Sequence, residues 1–152
     1  MSGSLNHAPS QIVRQLLIDL GVGADGGATW PVYAEQEPDK PDTCITVYET
    51  AGGGRGRFQV SGEVQNLYGI QINTRAANAQ AARKKADDIL YSLTQEVHLD
   101  TVAVTDDEGY GTDSTSYVFY NVSHKSGPLP VPEPNSDRKF YSINFVVNLR
   151  ET

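Results

Sequence analysis

The run from Tyr141 to Leu149 constrains this chain more than any other part of it. Tyr141, Ile143, Phe145, Val147 and Leu149 alternate with Ser142, Asn144, Val146 and Asn148. A period of two belongs to a strand with one face in a core. Neither glycine nor proline interrupts the run, which predicts a central strand. Such a strand needs neighbours that share its pleat and an apolar layer over one face. The rest of the chain has to supply both.

Two segments have the pattern of that layer. Ile12, Val13, Leu16, Leu17 and Leu20 fall at helical spacing, with Ser10 placed to cap the start and Gly21 to end the helix. From Ala76 to Leu93 a second helix is predicted, with Ala82, Ala86, Ile89, Leu90 and Leu93 on one stripe. Arg83, Lys84, Lys85, Asp87 and Asp88 fill its solvent side. Further strands are predicted at Trp30–Glu35, Cys44–Tyr48, Leu67–Arg75, 98–105 and Tyr117–Val122. The expectation is one α+β domain over residues 1–152, with a mainly antiparallel β-sheet of about five strands and two helices packed on one face.

Residues 1–9 read as a flexible lead-in, and 51–66, 106–116 and 125–138 as long loops. The first of these holds Gly52-Gly-Gly-Arg-Gly56. The last holds prolines at 128, 130, 132 and 134, which favour an extended backbone and cannot donate to a central ladder. Long irregular segments in a compact domain point to contacts with neighbours.

Charge and composition exclude several classes. Twelve Lys and Arg stand against 19 Asp and Glu, a net of −7, which argues against general nucleic-acid binding. Cys44 is the single cysteine, so there is no disulfide framework and no cysteine-rich zinc module. No apolar run is long enough for a membrane span, and Met1–Ser10 lacks the basic and apolar regions of a secretory signal.

Catalytic patterns fail in turn. The glycine run is not followed by Lys-Ser/Thr and does not open a helix, so it is no phosphate loop. His7, His98, His124 and Cys44 are scattered, and the acidic stretch 106–113 lacks the alternation of a calcium loop. There is no G-x-S-x-G elbow. No catalytic, cofactor or metal residue is expected. A small host hydrolase or ligand-binding domain is the alternative of a different class.

Pro41-Asp-Thr-Cys-Ile-Thr-Val-Tyr-Glu-Thr-Ala-Gly-Gly53, then Tyr68-Gly-Ile-Gln-Ile-Asn-Thr-Arg75, then an alanine-rich helix ending Ile89-Leu-Tyr-Ser-Leu93, occur in that order. This set resembles the tail terminator and minor capsid proteins of long-tailed bacteriophages. The likeness runs from about residue 10 to residue 94, with only an outline match beyond; the proline-alternating stretch has no counterpart. The resemblance implies a structural virion protein, assembled in the bacterial cytoplasm, whose ring, commonly a hexamer, ends tail-tube growth and joins the head. It implies contacts with its own copies, the tail-tube protein and head–tail connector or neck proteins, with DNA passing through unread. Another neck or head-completion protein is the near alternative. The interface candidates are Arg55, Arg57, Phe58 and Val60 in the glycine-rich segment, and Pro128, Leu129, Pro130 and Val131 in the proline-rich one. The first segment is expected to meet the tail tube as an added strand or hairpin arm.

Overall fold

A computed structural model describes residues 5–27, 29–57, 59–61, 64–97, 100–105, 114–133 and 136–152, with backbone alone at 54–57, 64, 65 and 105. The elements are α1 (Pro9–Asp19), β1 (Val32–Ala34), β2 (Cys44–Arg57), β3 (Val64–Ala76), α2 (Ala79–Tyr91), β4 (Thr101–Thr105), β5 (Ser114–Val131) and β6 (Lys139–Glu151). A wider π-turn at Ser92–Glu96 extends α2. The strands form one six-stranded sheet in the order β1-β2-β3-β6-β5-β4. Only the β1–β2 pair is parallel. The α+β class and the covering helices are as expected, and the six strands fall on the six segments read as strands, against the overall expectation of about five.

The alternating run lies in the middle of the sheet. β6 pairs with β3 on one side and β5 on the other. Ile143, Phe145, Val147 and Leu149 join Ile45, Val47, Ile70 and Ile72 in a core closed by Ile12, Val13, Leu16 and Leu17 of α1 and Ala86 and Ile89 of α2. Burying an aliphatic side chain contributes about 1.5–3 kcal/mol, so this shared face is what fixes the register. The opposite face carries Gln71, Asn73, Ser142 and Asn144, cross-strand neighbours in the same ladder.

Several boundaries differ from expectation. The N-cap of α1 is Ala8, not Ser10. Its side chain makes no cap bond, and Pro9 sits where a missing N–H costs nothing. Ser10 is buried inside the helix. The helix predicted from Ala76 starts at Ala79, because the side-chain oxygen Oδ1 of Asn78 accepts from the backbone N–H of Gln80 and Ala81. The lead-in is not free from residue 5 onward. Leu5 packs on the core and buried His7 meets the Tyr117 hydroxyl at 2.7 Å.

The loops shrink because distant strands pair with them. Residues 51–57 continue β2 and 64–66 begin β3, with Gly53 opposite Leu67 and Gly54 opposite Asn66. Residues 125–131 belong to β5, with Leu129, Pro130 and Val131 opposite Ser142, Tyr141 and Phe140. Of 106–116, residues 106–113 lie outside the described residues and 114–116 open β5. Among the described residues no helix is long and apolar enough to cross a membrane.

Candidate interaction site

Pairing of β3 with β6 covers Tyr68 to Ala76, while pairing of β3 with β2 runs on to Val64. Among the described residues, the two strands past Tyr68 pair with each other and not with β6, as a two-stranded arm over 51–57 and 64–67. Its root is set by glycines. A β-carbon on Gly52 would collide with the Leu67 carbonyl, and one on Gly69 with the Thr50 hydroxyl and the Ala51 carbonyl. Register shifts at Thr50/Gly53 and Gly54/Arg57 bend the ribbon where those strands touch.

The expected contact residues are placed unequally. Arg55 and Arg57 lie on the β2 side of the arm, described as backbone only. Phe58 lies outside the described residues. Val60 sits at the tip, fully exposed at 103%. Pro128, Leu129, Pro130 and Val131 form the end of β5, with Leu129 and Val131 among the exposed large apolar side chains. The two groups occupy separate strands and form two patches.

Behind the arm the sheet is clamped. The connector after β1, residues 37–42, is held by Arg75, which is 2% exposed. Its guanidinium donates to the carbonyls of Pro41 at 2.6 Å, Asp42 at 3.0 Å and Asp39 at 3.4 Å, with the Glu37 carboxylate at 3.9 Å. Arg138 donates to the Asp39 carbonyl at 2.6 Å and lies 3.6 Å from the Asp42 carboxylate. Sequence reading missed this clamp; the signal was an arginine at the end of an apolar alternating run.

It also missed a groove of about 660 Å³ between the turn after α1 and the outer side of α2. Leu20, Gly21, Val22, Lys84, Tyr91 and Ser92 line it. Tyr91 is 61% exposed. Lys85 reaches across to give a hydrogen bond to the Val22 carbonyl at 3.1 Å and lies over the Trp30 ring. Burial there pushes its ammonium below the ordinary lysine value. An aromatic on the polar side of the α2 pattern was the available signal.

Among the described residues no group of three or more His, Cys, Asp and Glu side chains could hold a metal ion. Cys44 is buried, and burial raises its thiol above the ordinary value, away from nucleophile behaviour. The arrangement is that of a sheet carrying a two-stranded arm and an exposed apolar strand end. Residues 16–151 match the family described as bacteriophage tail terminator protein. The chain belongs to that family and is a structural protein of the phage tail, hence of the virion. No curated protein matches it.

Proposed function

We propose that this chain closes into a ring, a hexamer, on the last ring of the tail tube, stops tube growth and presents the surface to which head and neck proteins join. Assembly takes place in the host cytoplasm, and DNA passes through the ring without being read. The arm carries the reading. A two-stranded ribbon standing alone is only marginally stable in water, and this one runs on past its pairing with β6, with Val60 fully exposed at its tip. A neighbouring subunit or the tube end completes it, with Arg55, Arg57, Phe58 and Val60 on the docking side. Pro128, Leu129, Pro130 and Val131 form a second contact.

Electron microscopy of negatively stained particles from a phage lacking this gene tests the role. Overlong, headless tails are expected. Tails of normal length lying apart from filled heads would assign the chain to neck joining instead. Intact infectious particles would remove both roles.

A further inference from the structure

Among the described residues, β5 has two neighbours only near Tyr117–Phe119. β4 pairs with Ser114 to Val118 and the Phe119 N–H still donates to the Asp100 carbonyl on that side, whereas β6 pairs from Tyr117 through Val131. Among the described residues, the outer edge of 120–131 is therefore open. An open edge ordinarily offers alternating N–H and C=O groups to a further strand. Pro130 stands opposite Tyr141, and Pro128 lies in the register shift between Ser126 and Leu129; neither has an N–H to give to a further strand. At both positions the strand end presents a carbonyl and no amide, flanked by Leu129, 51% exposed, and Val131, 36% exposed. Strand addition is disfavoured there. A surface with an aromatic wall and side-chain donors fits it, as for other extended proline-rich segments.

The groove between α1 and α2 has that chemistry. Tyr91 forms an exposed aromatic wall beside the half-buried Leu20 and Val22, and the Tyr91 hydroxyl and Lys84 are donors, while Ser92 is buried. Lys84 is tied only to the exposed Asp88 carboxylate at 2.9 Å, an i,i+4 pair that is easily exchanged. Asp87 and Glu96 border the groove, and exposed Lys125 precedes the proline-rich strand end. We infer that the Gly127–Val131 edge of one copy seats in the α1–α2 groove of the next copy, with Leu129 against Tyr91. Edge and groove are different patches, so the contact is head-to-tail and propagates in one direction until it closes. This inference rests on the ring reading and names one junction of that ring.

Two variants test it, Leu129→Asp and Tyr91→Ala, both at exposed positions. Circular dichroism and thermal melting confirm that each folds as the wild type does. Association is followed by native mass spectrometry of the purified chain, and by binding to terminator-free tails where the wild type assembles only there. Each variant alone is expected to lose self-association by about tenfold or more. Mixed in equal amounts they are expected to form one-to-one pairs and nothing larger, because one intact edge then meets one intact groove. Variants that assemble as fully as the wild type, or a mixture without pairs, would overturn the edge–groove junction and leave the ring standing. A wild type that forms rings neither in solution nor on tails would remove the ring itself.

Discussion

The connector at 37–42 and the arm at 51–67 look alike in sequence, since both are dense in residues that break regular structure. In the folded chain they are opposites. The connector has two prolines and is held by Arg75 and Arg138 through three carbonyls and three carboxylates. The arm has its own ladder and, past Tyr68, no pairing with β6. Turn-forming residues thus mark where the chain departs from a core. Whether the departure is fastened depends on a partner elsewhere in the sequence.

Removing the fastening gives the largest effect. Arg75→Ala leaves the carbonyls of Pro41 and Asp42 and the Glu37 carboxylate without their donor, while the Asp39 carbonyl keeps Arg138, and a loss of about 3 kcal/mol is expected in urea unfolding. A loss under about 1 kcal/mol would mean that the connector holds itself. At the arm's root, Gly52→Val puts a side chain into the Leu67 carbonyl. Here about 1–3 kcal/mol is expected, with capping of tails lost as the arm swings away.

Alkaline titration compares the two regions without mutation. Burial raises Cys44 and Tyr48, beside the connector, and Tyr117, far from it. Above their ordinary values of 9.0 and 10.0 the unfolded chain releases these protons while the folded chain keeps them. Stability is therefore full below pH 9 and falls as pH climbs through that range. Lys85, shifted down by burial, acts in the opposite sense, gaining stability as pH rises toward 10.5. Cys44, Tyr48 and Tyr117 predict a decline, measured by urea midpoints between pH 8 and 11 in a Lys85→Met background that removes the opposing group. A flat profile would mean that these side chains titrate as in the unfolded chain.

The smaller effects sharpen the contrast. Arg138 is partly exposed, and Arg138→Ala is expected to cost about 1 kcal/mol in the same assay. Val60→Ser should change stability by less than about 0.5 kcal/mol yet reduce assembly on tails. A variant at Val60 that assembles normally would take the tip out of the contact.

How far the sequence could be read follows from the same contrast. Core positions repeat locally, so Ile143, Phe145, Ile70, Ile72 and the stripes of both helices were legible from period alone. The ends of β2 and β5 were not, because glycine and proline discourage strands locally and only pairing with Leu67, Asn66, Ser142 and Tyr141 holds them extended. Of the candidate site, the glycine-rich and proline-rich segments were visible as anomalies of composition. The groove was not, because Leu20 and Val22 come from the turn after α1 and Tyr91 from α2, and no short-range pattern encodes how the two meet.

β3 links the two regions along a single strand. It begins in the arm at Val64, keeps unbroken register with β6 from Tyr68 to Ala76, and carries Arg75 at its far end. A pull on the arm directed along the strand would load that ladder in shear, so that its hydrogen bonds, lying across the strands, share the force at once instead of unzipping in turn. The clamp anchors the opposite end to the connector. The feature that shapes the fold thus also makes β3 a tension member between the arm and the clamp.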